Sequence, residues 1–129
     1  REFDALYVGE KTILLNESKA TVRPEYAKEF VEFLQSGEFF QYFPEYLGKT
    51  VVPVFSSINI PDDTVTYLTR NKIYAVGMSD EEMAILNKAE VESEKWPEGM
   101  MRENKTRFRD EGGFLFLRYW IYLINFSFR

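Results

Sequence analysis

Three residues near the start of the chain, Asp4, Glu17 and Lys19, have the types and spacing to do chemistry together. Residues 2–8 and 12–19 read as β-strands and Gly9-Glu10-Lys11 as a turn, so the two runs are expected to form a hairpin. If Val8 pairs with Ile13, Asp4 falls opposite Glu17, and such neighbours lie about 4.5–5.5 Å apart at Cβ. Lys19 is two residues beyond Glu17 and shares its face. A slip of one residue would turn Asp4 to the other face. Two carboxylates and an ammonium on one patch fit an oxygen-ligand site for a divalent cation. They also fit a solvated strand face with an ordinary Glu–Lys pair, worth little energetically.

The composition narrows the choice. The chain has 129 residues, enough for one domain, and 45% of them are hydrophobic. It holds no histidine and no cysteine. Ser-His-Asp and Cys-His catalysis, histidine or cysteine metal sites and disulfides are thereby excluded for these residues. Oxygen-ligand sites for Mg²⁺, Mn²⁺ or Ca²⁺ remain, as does a pure binding role. The net charge is −5, unevenly spread. Residues 1–94 carry 9 basic and 17 acidic groups, whereas residues 95–129 carry 7 and 4. A phosphate-bearing partner would therefore favour the tail or a local pocket. The chain starts Arg1-Glu2-Phe3-Asp4, with no Met and no basic-then-apolar leader, which reads as a trimmed or partial start and a cytoplasmic protein. Its longest apolar run, Phe114 to Phe128, contains Arg118 and is short for a membrane span.

The elements that must position the three residues follow from periodicity. After Pro24, Tyr26, Phe30, Phe33 and Leu34 recur at helical spacing, and Gly37 is the expected stop. An aromatic cluster, Phe39, Phe40, Tyr42 and Phe43, closes at Pro44. Residues 50–58 are the strongest strand, with Pro53 pointing to an edge or a bulge. Asp62-Asp63 opens a short helix presenting Val65 and Leu68, residues 73–78 are a strand, and Met83 to Leu86 a last short one. The order β-β-α-β-α-β, with a final β, predicts an α/β domain with a mixed central sheet and flanking helices over residues 1–87. Residues 88–129 read as a charged connector and an aromatic C-terminal segment, packed on the core or on a partner copy.

Asp4, a hairpin, and Glu17-Ser18-Lys19 on a strand resemble the PD-(D/E)XK nuclease-like superfamily. The resemblance extends over residues 1–87 through the helix after the motif, the run Phe43-Pro44-Glu45-Tyr46-Leu47-Gly48-Lys49 before a strand, and Asn71-Lys72-Ile73-Tyr74-Ala75-Val76. It implies a restriction-endonuclease-like core and a divalent-metal-dependent phosphodiesterase acting on nucleic acid. It further implies that Asp4 and Glu17 hold Mg²⁺ or Mn²⁺, that the Ser18 carbonyl is a further ligand, and that Lys19 is the catalytic lysine. Mg²⁺ keeps several waters and is commonly held by one or two carboxylates, which suits this set. The chain departs from the superfamily pattern in lacking a helix before the hairpin, where Glu2 shares the face of Asp4. It departs again at Asn16, which stands where an apolar residue is usual, and in its acidic balance. The alternative is a non-catalytic assembly module that keeps the fold.

Other motifs have plainer readings. Glu103-Asn104-Lys105 repeats the E-x-K spacing without an apolar strand before it. Asp62-Asp63 suits a helix start, and Ser79-Asp80-Glu81-Glu82 has the spacing of a capping box. Ser56-Ser57 could bind phosphate or simply end a strand, and the aromatic cluster with Tyr46 could stack nucleobases or cover the sheet.

Residues 114–128 hold one charge and twelve large apolar or aromatic side chains, a run of β-formers that would aggregate if left in water. Gly112-Gly113 gives this segment reach to a second copy, so a homodimer is expected. Truncation after Glu111 should give a monomer by light scattering that keeps the circular dichroism of the remaining domain. Unfolding on truncation would assign the segment to its own core instead.

Overall fold

The computed structural model describes residues 5–92. Strands β1 (Ala5–Val8) and β2 (Thr12–Ser18) are followed by helix α1 (Pro24–Ser36), the short helix α2 (Glu38–Tyr42) and a 3₁₀ turn (Pro44–Tyr46). Strand β3 (Thr50–Ser56), helix α3 (Asp62–Arg70), strands β4 (Tyr74–Ser79) and β5 (Glu82–Ile85) and helix α4 (Lys88–Val91) complete it. The result is an α/β fold around one five-stranded mixed sheet, in spatial order β1-β2-β3-β4-β5. The β1–β2 and β4–β5 pairs are antiparallel hairpins, and β2, β3 and β4 run parallel. The expected final strand is present as β5.

The two crossovers, β2-α1-β3 and β3-α3-β4, advance in the same direction across the sheet, and right-handed connections then place both helices on one face. Ile13, Leu15, Phe55, Ile73 and Ala75 of the sheet side meet Ala27, Phe30 and Phe33 of α1 and Leu68 of α3 there, all buried. Leu14, Val52, Val54, Tyr74, Val76 and Met83 form the opposite face, where Val91 of α4 packs. A sheet covered on both faces needs continuous apolar runs, which is why Ile13-Leu14-Leu15 does not alternate. Phe39 is buried against Phe40 and Phe43, with ring centroids 5.3 and 5.2 Å away, and Phe43 stacks on Tyr46. Most of the aromatic cluster is thus core and cover for the sheet.

Local geometry explains where the elements stop. Gly37 ends α1 at φ +77°, a left-handed conformation that costs glycine little, and its N–H donates to Leu34 O at 3.4 Å. At the end of α3 that conformation falls to Lys72, at φ +59°. The strain is offset by burial of the Lys72 stem and by its ammonium, which donates to Val91 O at 3.4 Å. Asn87 is a buried hub. Its Nδ2 donates to Thr69 Oγ1 and Ile73 O, and its Oδ1 accepts the Ala75 N–H, so one side chain ties α3 to β4.

Two expectations are corrected. Pro53 lies in β3, the central strand of the sheet, not at an edge or a bulge. The Thr50 N–H donates toward β2, to Lys11 O, and the Ser57 N–H toward β4, to Val76 O, so odd-numbered β3 donors face β4. Pro53 therefore withholds a donor only on the β4 side, where pairing begins at Val54–Tyr74. Ser79-Asp80-Glu81-Glu82 is a hairpin turn, not a helix cap: Ser79 pairs with Glu82 and Asp80 takes φ +58°, which a short aspartate tolerates.

Phe30 is 1% exposed and its ring centroid is 6.3 Å from that of Phe55, whereas Leu47 is 74% exposed. Phe30→Ala should cost about 3–5 kcal/mol in urea unfolding. Leu47→Ala should stay within about 0.5 kcal/mol of the parent.

Candidate functional site

The C-terminal ends of parallel strands in an open α/β sheet are where side chains from several strands converge beyond the helices. Here the apolar run of β2 gives way to Asn16-Glu17-Ser18-Lys19, and that of β3 to Ser56-Ser57. The β2–β3 register places Glu17 beside Phe55 and Ser18 beside Ser56, so the two polar ends are level. Alternation then sends Asn16, Ser18 and Ser56 to one face and Glu17 and Lys19 to the face of α1.

On the α1 face, the Lys19 ammonium lies 3.6 Å from Glu17 Oε1 and 4.8 Å from the centroid of the Tyr26 ring. Lys19 is thus held between a carboxylate and the negative face of an aromatic ring. Glu17 is only 8% exposed, against the reading of this strand face as solvated. A nearly buried carboxylate needs a cation or donors around it, and Lys19 is one such group. By its spacing of four before Phe30, Tyr26 reads as part of the apolar face of α1 and carries no sign of Lys19, which only the packing of α1 on β2 brings over it.

The hairpin register agrees with the sequence expectation over every described pair: Val8 opposite Ile13, Tyr7 opposite Leu14, Leu6 opposite Leu15 and Ala5 opposite Asn16. Asp4 and Glu2 lie outside the described residues, as do Glu103-Asn104-Lys105 and the aromatic segment 114–128. Among the described residues no group of three or more acidic side chains is placed to hold a metal ion. Asp62 and Asp63 sit in the first turn of α3, where Asp63 Oδ1 accepts the Thr64 N–H at 2.8 Å, a role that needs no ligand.

The opposite face holds an arrangement not anticipated from the sequence. Asn16 Nδ2 donates to Ser18 Oγ at 2.7 Å, and Ser56 Oγ donates to Asn16 Oδ1 at 2.9 Å. Ser18 and Ser56 hydroxyls are 2.7 Å apart. Each hydroxyl has one proton, so Ser18 must donate to Ser56, and the three side chains close a ring in which each donates once and accepts once. This gives the buried Asn16 side chain partners for both its amide nitrogen and its amide oxygen. The polar alternation of 16 and 18 was a visible signal, but its partner 38 residues away from Ser18 was not.

Ser56→Ala would leave the buried Asn16 carbonyl short of a donor and should destabilise the protein by about 1–3 kcal/mol in urea unfolding. Combining it with Asn16→Val removes both polar partners, and the double variant should lose less than the two single losses added.

Comparison of the chain with family models, with curated proteins and with solved structures yields no match.

Proposed function

We propose that the chain carries the site of a divalent-metal-dependent phosphodiesterase acting on nucleic acid, built on a restriction-endonuclease-like core. The observation that carries this reading is the pair at the end of β2, a nearly buried Glu17 with the Lys19 ammonium 3.6 Å away at the open end of parallel strands. The hairpin register supports it, because one further step of the same pairing, beyond the described Ala5–Asn16 pair, would set Asp4 against Glu17.

The donor set suits a hard cation such as Mg²⁺ or Mn²⁺. Glu17 with Asp4 would supply two carboxylates and Ser18 its carbonyl, and such ions fill their remaining positions with water and substrate oxygen. When bound, the ion neutralises phosphate charge and lowers the pKa of an attacking water. The protein's own part is electrostatic and geometric. Lys19 presents a fixed positive charge to the anionic phosphorane as it develops, and Tyr26 and Glu17 keep that ammonium in place before substrate arrives. No helix among the described residues is long and apolar enough to cross a membrane. Self-association through residues 114–128 is proposed beside this reading on the composition of that segment alone.

Mn²⁺ or Mg²⁺ should raise the melting temperature of the protein by mass action, and Asp4→Asn with Glu17→Gln should abolish that rise. Lys19→Met, which keeps the apolar stem over Tyr26, should leave the fold in place. It should lower Mg²⁺-dependent cleavage of plasmid or oligonucleotide by about 100-fold or more. A metal-induced rise that persists in the double variant would place the ion elsewhere, and wild-type inactivity on every nucleic acid tested would overturn the phosphodiesterase reading.

A further inference from the structure

The ladders of β3 continue one residue past its last paired position. The Lys19 N–H donates to Ser56 O at 3.0 Å, and the Ser57 N–H donates to Val76 O at 3.0 Å. In a parallel ladder these bonds set Ser57 beside Lys19 on one side and beside Gly77 on the other. Ser56 points to the Asn16–Ser18 face, so Ser57, the next residue, points to the face of Glu17 and Lys19.

Ser57 is 5% exposed, and its Oγ has no hydrogen-bond partner among the described residues. Every other polar side chain discussed at these strand ends is paired. A buried hydroxyl without a partner is destabilising, and a fold that only needed to fill this position would do better with alanine. Its neighbour across the β4 ladder, Gly77, has no side chain to pair with it, and a Cβ there would lie 3.3 Å from Ser57 O. The buried Ser57 side chain therefore stands level with Lys19 and on its face of the sheet, and a hydrogen-bond donor beside a residue that carries a fixed cation suits an anionic oxygen.

We infer that Ser57 is a further substrate-binding residue, its hydroxyl donating to a phosphoryl oxygen that the Lys19 ammonium also faces. This rests on the phosphodiester reading of the site for its ligand class. It adds the residue that follows β3 to a set drawn otherwise from the β1–β2 hairpin and the residue after it.

The test is thermal melting of the wild type and of Ser57→Ala with Mg²⁺ present, with and without inorganic phosphate, against sodium chloride at matched ionic strength. Without phosphate, Ser57→Ala should melt higher than the wild type by about 4 °C or more, since the orphaned hydroxyl is gone. Phosphate should raise the wild-type melting temperature by about 5 °C at ten times its Kd, and Ser57→Ala should lose most of that rise. Equal phosphate shifts in the two proteins, no shift in the wild type, or a Ser57→Ala protein that melts lower or fails to fold would each overturn the assignment. The readout does not depend on cleavage. A phosphate shift lost in Ser57→Ala with no nuclease activity in the wild type would keep Ser57 as an anion-binding residue while the phosphodiesterase reading falls. Full cleavage with equal shifts would do the reverse.

Discussion

The parallel pairing of β2 with β3 over seven residues, Thr12–Ser18 against Thr50–Ser56, is the constraint on which the rest of the molecule depends. Parallel neighbours cannot be joined by a tight turn, so the chain must leave the sheet, and α1 is the element that brings it back. Handedness then sends α1 to one face, and the repeat of the same step through α3 adds a second helix beside it. Phe30 and Phe55 meet across that layer, and the opposite face closes more thinly with Val91 of the four-residue α4. Both faces of β2 and β3 are consequently removed from water, which is where most of the favourable free energy of this fold resides.

The same pairing decides what happens where the apolar runs end. Level strand ends put Asn16 to Lys19, at the end of β2, next to Ser56 and Ser57, at the end of β3, and the pleat divides them between two faces. On the face away from α1, Asn16, Ser18 and Ser56 hydrogen-bond to one another in a ring. On the face of α1, Glu17 and Lys19 form an ion pair steadied by Tyr26, and Ser57 stands level with Lys19, its hydroxyl without a hydrogen-bond partner among the described residues. A hydrogen-bonded ring with Asn16 and Ser56 buried ties together the two strand ends on which the opposite side chains are mounted. The division separates a hydrogen-bonded ring on one face from an ion pair and a hydroxyl on the other.

Backbone features that look like faults in isolation are consistent with this plan. Pro53 sits in the central strand because the donor it lacks would face the flank that β4 does not yet cover. Lys72 adopts a left-handed conformation to turn α3 into β4, and its long side chain is held under α4. Asn87 replaces a missing strand neighbour by accepting the Ala75 N–H and donating to the Ile73 carbonyl. Each is a local compromise that sets the start or the flank of β4, and β4 in turn fixes the position of Ser57 through the Val76 carbonyl.

The sequence by itself determined the order of elements, the α/β class and the hairpin register, because all three rest on local signals. Gly9-Glu10-Lys11 marks the turn, Phe30, Phe33 and Leu34 mark the helical face, Gly37 marks its end, and the unbroken Ile13-Leu14-Leu15 run marks a strand buried on both sides. It also singled out Glu17 and Lys19 as a same-face pair, since a spacing of two in a strand leaves no choice. Only the tertiary structure decided that Pro53 lies in the middle of the sheet, that Ser79 to Glu82 is a turn between strands, that Tyr26 supports Lys19, and that Ser57 belongs beside it. Those outcomes depend on which residues of β3 stand level with which residues of β2. Such a parallel register is set by packing α1 against both strands at once, a sum of many apolar contacts between distant segments that no short stretch of sequence contains.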